Sequence, residues 1–412
     1  MSSFELAAVI LSLAAAFGYL NARVIRLPST IGLMAMALFG SLVIVGLDAA
    51  GIIDSTRLEQ LVAQADFGHT LLHGMLGLLL FAGALHIDLT DLSTHRWPIG
   101  LLALGGTIVS TVIVGVASYL LMRVLGHDIG FINALLFGAL ISPTDPIAVL
   151  GILKSAKAPP ELAVQIGGES LFNDGVGVVI FMVVLGVAAG GDMSAGDVAI
   201  LFGREAVGGS LFGLALGYVG FRLLRGIDAY SVEVLITLAL VIGGFAAAER
   251  LHVSAPIAVV VAGLVVGNQG RRLAMSDVTR HHVDLFWELL DEILNAVLFL
   301  MLGLEATRLR VTPELALAAG LTIPLVLLAR LVSVAIPISL LRLRTRLSPH
   351  AIKVMTWGGL RGGISVALAL SLPSGPVRDT ILVLTYAVVA CSILVQGLTL
   401  SRLLRRLGLC AA

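Results

Sequence analysis

The sequence predicts an all-α integral membrane protein of about thirteen transmembrane helices, and three observations carry that prediction. The 412-residue chain is 58% apolar, has a mean hydropathy of +1.04, and carries only 13% charged residues, against roughly a quarter in a soluble domain. Its apolar runs have the length, roughly 17 to 25 residues, that a helix needs to cross a bilayer. They follow one another through short loops, apart from 269–287 and the mildly polar 48–67, so no separate soluble domain is predicted.

The first run, 4–21, reads as a retained span: no positive charge precedes it and Arg23 and Arg26 follow it, the reverse of a secretory signal. Further spans are predicted at 29–47, 68–86 and 97–122, then at 131–153, where "ISPTDP" interrupts the run, and at 161–189, which carries charged and amide side chains. Plain apolar runs follow at 205–221, 230–248, 252–268 and 288–304. The last three spans are 314–341, which contains Arg330, 348–372, interrupted by "WGGLRGG", and 379–401. Lys and Arg mark the cytoplasmic loops. With the N-terminus outside and the C-terminus inside, sixteen fall inside and seven outside, while Arg330, Lys353 and Arg361 lie within spans. An odd number of spans fits this asymmetry.

Composition also excludes functions. Net charge is zero and basic residues are scattered, so no patch exists to hold nucleic acid. The two cysteines, Cys391 and Cys410, make neither a disulfide framework nor a metal-ligand spacing. His69 and His73 are spaced i, i+4, but no other ligand accompanies them. Asp284, Glu288 and Glu292 recur every four residues and read as a solvated face rather than as a cation-collecting funnel.

The two interruptions point to a site. Proline removes a helical donor and clashes with the preceding turn, and broken backbone at membrane depth survives only where protein or water satisfies it. Paired broken helices in two halves of a chain mark the binding site of a transporter built from inverted repeats. Spans four to six and eleven to thirteen run in opposite senses, as such repeats require.

Charged side chains sharpen the reading. One at the bilayer centre costs about 2.5 to 3.5 kcal/mol, so Asp145, Glu169 and Asp174 together would cost roughly 8 to 10. They need partners, and Arg330, Lys353 and Arg361 are at hand. In "GGESLFNDGVGVVIF" helical geometry puts Ser170 and Asp174 on one face and Glu169 and Asn173 on the next. A hydroxyl beside a carboxylate suits a small hard cation, whose shell Thr144 and freed carbonyls of the fifth span would complete. Glu169 reads as a structural partner for an arginine; Asp145 and Arg361 read equally as compensating half-helix dipoles or as touching the ion. Gly167, Gly168, Gly175 and Gly177 would let helices cross closely.

These segments, with "LFGALISPTDPIAVLGILK", "LLARLVSV", "WGGLRGGISVALALSLP" and the weaker "LLLFAGALHIDLTDL" and "LFLMLGLE", resemble the sodium/proton exchangers of the cation:proton antiporter type, in particular the NhaP-like members. The resemblance implies a fold with inverted repeats and two unwound crossing helices in an NhaA/NhaP-like arrangement. It implies a core domain formed by 97–190 and 311–412, dimer-interface or linking spans at 1–96 and 191–310, a homodimer, and elevator-like alternating access in a cell membrane. By position, it makes Asp174 the ion- and proton-binding aspartate, Ser170 and Thr144 cation ligands, and Glu169 the partner of Arg330. Asn173 marks the Asn-Asp subgroup. No cofactor is implied beyond the transported Na+, Li+ or K+ and H+. The chain lacks the long regulatory tail of animal exchangers, so regulation by such a tail is not expected.

Burial strengthens a carboxylate's hold on its proton while arginine and backbone donors weaken it, so one aspartate can trade a proton for a cation. Two rivals exist: an intramembrane aspartyl hydrolase built on Asp145 and Asp174, and a cation channel. Neither aspartate lies in a Gly-x-Gly-Asp context, and no metalloprotease or nucleophile-elbow motif occurs.

Overall fold

The computed structural model describes residues 3–52, 68, 70–127, 129–188, 190, 195–309, 311–342 and 350–410, and among them only helices and connecting turns occur. In chain order the helices are α1 (Ser3–Leu20), α2 (Ser29–Ala49), α3 (Leu76–Leu85), α4 (Leu89–Thr94), α5 (Arg96–Val124), α6 (Phe131–Ile141), α7 (Ile147–Ser155) and α8 (Pro160–Ala188). Then follow α9 (Ala195–Leu224), α10 (Tyr230–Arg250), α11 (Ala255–Val265), α12 (Asp277–Glu305), α13 (Pro313–Leu341), α14 (Ala351–Trp357), α15 (Gly363–Leu370) and α16 (Pro376–Arg406). Every one of the predicted spans contains a helix. Eight helices among the described residues are individually long and apolar enough to cross a membrane. The two interrupted spans appear as the broken pairs α6/α7 and α14/α15. His69 lies outside the described residues, as does the side chain of His73.

Large apolar side chains such as Phe4, Phe39, Leu42, Ile200 and Leu235 are more than half exposed, which on a chain this apolar is the lipid-facing surface. Inside, α5–α8 and α13–α16 pack mainly on one another, while α1–α3 pack mainly on α9–α12. Several helices carry a single wider π turn, among them Leu101–Gly106 in α5 and Ser392–Gly397 in α16.

Small residues set the closest approaches, because each lets two backbones meet where a side chain would hold them apart. A methyl group on Gly138 of α6 would strike the Thr111 carbonyl of α5. On α8, one on Gly168 would collide with Ile99, one on Gly175 with Ile257, and one on Gly177 with the Pro143 ring at the break. Gly167, by contrast, has ordinary clearance from Leu150. So three of the four α8 glycines are forced by close neighbours and one is not. Alanine at Gly177 would be the better helix former by about 1 kcal/mol, but the overlap with Pro143 should reverse the sign, costing about 1 to 3 kcal/mol. Gly177→Ala is therefore expected to unfold earlier than wild type in detergent, whereas Gly46→Ala, with nothing within 4 Å of the new methyl, should not.

Candidate functional site

The two broken helices cross, and each supplies what the other lost. Between Pro143 and Pro146 the chain leaves the helical ladder, because neither proline can donate. The Asp145 amide instead donates to the Leu360 carbonyl across the crossing at 2.8 Å. Glycine is required opposite: a methyl on Gly362 would overlap the Asp145 carboxylate, and one on Gly359 the Arg330 guanidinium.

Four helix ends meet at membrane depth with orphan groups, and charges of the right sign are placed on three of them. At the start of α7 the Asp145 carboxylate accepts from the Ile147 amide at 2.9 Å. At the end of α6, Arg361 donates to the carbonyls of Ser142 and Pro143 at 2.5 and 2.8 Å. At the end of α14, Arg330 donates to the Met355 carbonyl at 3.1 Å. The π turn of α16 adds two neutral partners: Ser392 accepts from the Arg361 amide at 2.9 Å, and Gln396 donates to the Trp357 carbonyl at 3.0 Å. Of the carbonyls freed in the fifth span, those of Ser142 and Pro143 thus accept from Arg361.

The polar stretch of α8 lies against this crossing and splits three ways. Glu169, fully buried, meets Arg330 in a two-pronged ion pair at 2.5 and 2.9 Å, the geometry that makes an arginine–carboxylate pair strong. Ser170 and Asn173 turn to Thr144: the two hydroxyls lie 3.0 Å apart, the Asn173 amide donates to the Thr144 hydroxyl at 2.9 Å, and the Asn173 carbonyl accepts from the Thr144 amide at 3.2 Å. Asp174 turns away from both groups into a cavity of about 470 Å³, and only 6% of the residue is exposed.

Asp145, Asp174, Asp291 and Asp88 line that cavity, with Ser365 at the start of α15 and His86. Among the described residues, no lysine or arginine is in its wall. Thr144, Ser170 and Asn173 are not in the wall, and sit together as a fully buried polar layer. Lys353, a candidate charge partner in the sequence, is on α14 and outside the wall. The sequence reading missed Asp291. It grouped Asp284, Glu288 and Glu292 by fours, which drifts about 40° per step on a helix of 100° per residue. Asp284 is ion-paired with Arg271, and Glu288 and Glu292 are exposed. Asp291, two turns from Asp284, is the one that reaches the cavity.

An all-helical membrane bundle with two helices broken and crossed at mid-depth, and an aspartate reached by a cavity beside the break, is the architecture of a secondary transporter. The chain belongs to the sodium/hydrogen exchanger family, whose "Sodium/hydrogen exchanger, transmembrane" profile matches residues 10–406. It is 53% identical over 409 residues to the Na(+)/H(+) antiporter NhaP of Pseudomonas aeruginosa, covering 98% of this chain and 96% of that one. It is 36% identical over 394 residues to the Na(+)/H(+) antiporter NhaH of Halobacillus dabanensis, with 94% of each chain covered. In fold it is similar to the sodium proton antiporter MjNhaP1 of Methanocaldococcus jannaschii, with a TM-score of 0.74, 19% identity and 97% of each chain covered. Family membership makes the protein a transporter rather than an enzyme, which removes the hydrolase reading.

The Glu169–Arg330 pair generates a stability prediction. Removing one member leaves a buried charge unpaired, which costs on the order of 3 to 5 kcal/mol. Arg330→Ala should therefore lower thermal stability in detergent strongly. An unchanged melting curve would mean that the pair does not hold this crossing together.

Proposed function

We propose that the protein is a multi-pass cell-membrane antiporter that exchanges a monovalent cation, Na+ or Li+ and with K+ as the third candidate, for H+. The observation that carries the reading is Asp174: a buried carboxylate beside the break, at a cavity with no lysine or arginine among the described residues of its wall. In this reading Asp174 binds either a proton or a cation, and the two compete. The Thr144, Ser170 and Asn173 oxygens complete the shell of the dehydrated ion when it moves in from the cavity. Asp145 is committed to the start of α7, Glu169 to Arg330, and Arg361 to the end of α6, so these charges hold the site rather than trade ions.

The helices that carry the site, within 97–190 and 311–412, form the moving core in this reading. Those of 1–96 and 191–310 form a dimer-interface domain, and the protein works as a homodimer with its N-terminus outside and C-terminus in the cytoplasm. The two packing groups of helices support that division, and the distribution of Lys and Arg supports the orientation. Access alternates as the core moves against its partner domain.

Two outcomes test this. Asp174→Asn keeps the shape but can neither hold a tradeable proton nor neutralise a cation, so it should fold normally and abolish cation-dependent proton flux in liposomes carrying an internal pH dye. Robust flux in that variant overturns the assignment. Second, one titrating carboxylate carries either one proton or one cation past the same fixed charges, so a full cycle should move no net charge. A potential of 100 mV is worth about 2.3 kcal/mol per charge moved, and this exchanger should gain none of it; a tenfold proton gradient, about 1.4 kcal/mol, should balance a tenfold cation gradient. In valinomycin-clamped liposomes the null point is expected to stay fixed as voltage changes; a shift would require a second titrating group.

A further inference from the structure

At the end of the bundle assigned above to the cytoplasm, the two packing groups carry their basic residues differently. On the group of α1–α3 and α9–α12, arginines stand beside acids: Arg271 pairs with Asp284 and Arg280 with Asp277. On the group with the broken helices they do not. Lys154 stands in the last turn of α7, Lys157 just beyond it, Lys353 in the first turn of α14, and Arg402, Arg405 and Arg406 in the last turns of α16. All six are exposed, and among the described residues none of them is in an ion pair. The end of α16 packs on both α7 and α14, and the Trp357 indole of α14 donates to the Thr399 hydroxyl of α16 at 2.9 Å. No acid occurs in α7, in α14 or in Leu398–Arg406. The acid that follows in sequence is Glu161, exposed in the first turn of α8.

The register of α16 shows what this surface faces. At 100° per residue, Leu400 and Leu404 fall on one side, and both are fully buried. Leu398, Arg402, Arg405 and Arg406 fall together on the opposite side, within about 100° of one another. Leu398 is 41% exposed, and Val395, in the π turn before it, is 49% exposed. In a membrane bundle such apolar exposure is exposure to lipid tails, so the outer face of α16 passes from tails to three arginines within two turns. That puts the guanidinium groups at the level where headgroups begin. A soluble partner would reach only the basic half of this stripe. A phospholipid fills both halves, with its chains on Leu398 and its phosphate on the arginines, whose forked donors match phosphate oxygens.

We infer that Lys154, Lys157, Lys353, Arg402, Arg405 and Arg406 form a binding surface for the headgroups of anionic phospholipids. Clusters of four to eight basic residues at a membrane boundary recognise such lipids, each residue contributing roughly fivefold in affinity. In the proposed orientation the leaflet is the cytoplasmic one. The lipid is held by the helices that carry Asp174, and its binding is independent of ion exchange at that residue.

Native mass spectrometry of the purified protein, released from detergent with equal amounts of phosphatidylglycerol and phosphatidylcholine of the same chains, tests this. At its tightest lipid site the wild type should prefer phosphatidylglycerol. The triple variant Arg402→Gln, Arg405→Gln, Arg406→Gln should weaken that site on the order of 100-fold, three residues at roughly fivefold each. The triple variant Lys154→Gln, Lys157→Gln, Lys353→Gln should weaken it similarly. The double variant Arg222→Gln, Arg225→Gln, on the other packing group, should bind as the wild type does, and so should Asp174→Asn. No preference for phosphatidylglycerol in the wild type overturns the inference, as does wild-type affinity in either triple variant. A comparable loss in the double variant, or in Asp174→Asn, overturns it too, because the lipid would then be reading overall charge or the cavity. Displacement of the lipid by excess inorganic phosphate would mark a site for soluble anions instead, and would equally overturn it.

Discussion

A helix cut open inside a membrane has to find partners for its freed backbone groups within the protein, because lipid offers none. The crossing of α6/α7 with α14/α15 is the solution to that requirement, and several of the buried charges of the chain follow from it. One broken strand of backbone bonds the other directly, through the Asp145 amide and the Leu360 carbonyl. Charges cover three of the four helix ends, Asp145 on an N-terminus and the two arginines on C-termini. Each of those charges must then be balanced or tied down in turn. Glu169 is buried because Arg330 is, and Gly359 and Gly362 are glycines because a guanidinium and a carboxylate occupy the space a side chain would need.

This chain of requirements separates the charges tied into the crossing from Asp174, which faces the cavity. Within α8, four polar residues occupy less than two turns, yet they face three different surroundings: a guanidinium, a hydroxyl cluster and a cavity. The 100° step of the helix does the sorting. A shift of the register of α8 by one residue would exchange their environments, which explains why Gly177 is seated so tightly on Pro143: that contact fixes the height of α8 against the break.

Much of this is legible in the sequence because its causes are local. Run length gives the spans, and "ISPTDP" and "WGGLRGG" announce the breaks, since proline and glycine act on the backbone where they stand. Pairing Glu169 with Arg330 takes the family resemblance, as the two are 161 residues apart and nothing local links them. Helix ends are read short where a helix runs past the apolar core: α9 begins at Ala195 and α12 at Asp277, well before the apolar runs predicted from 205 and 288, because polar residues can continue a helix once packing has nucleated it. The wall of the cavity is the least legible part. Asp291 stands among four other acids in the first half of α12, and only the packing of α12 against its neighbours decides which of them faces inward. The hold of Arg361 on the Ser142 and Pro143 carbonyls is equally invisible, since sequence does not say how two broken helices will be stacked.

The hydroxyl pair behind the cavity has one further consequence. Thr144 and Ser170 stand 3.0 Å apart, and either oxygen can be the donor. The Asn173 amide donates to the Thr144 oxygen, and the bond between the two hydroxyls can reverse its direction by rotation about the C–O bonds while every heavy atom stays in place. In the proposed exchange, a cation moving in from the cavity would turn these O–H bonds so that their oxygen lone pairs face it. The layer therefore behaves as a small polarisable medium whose dipoles follow the charge in front of them. Water would respond in the same way, but only by translating and exchanging whole molecules. Here the response is confined to the turning of two O–H bonds, so in the proposed exchange the site would alternate between two occupants of different size with little rearrangement of its frame.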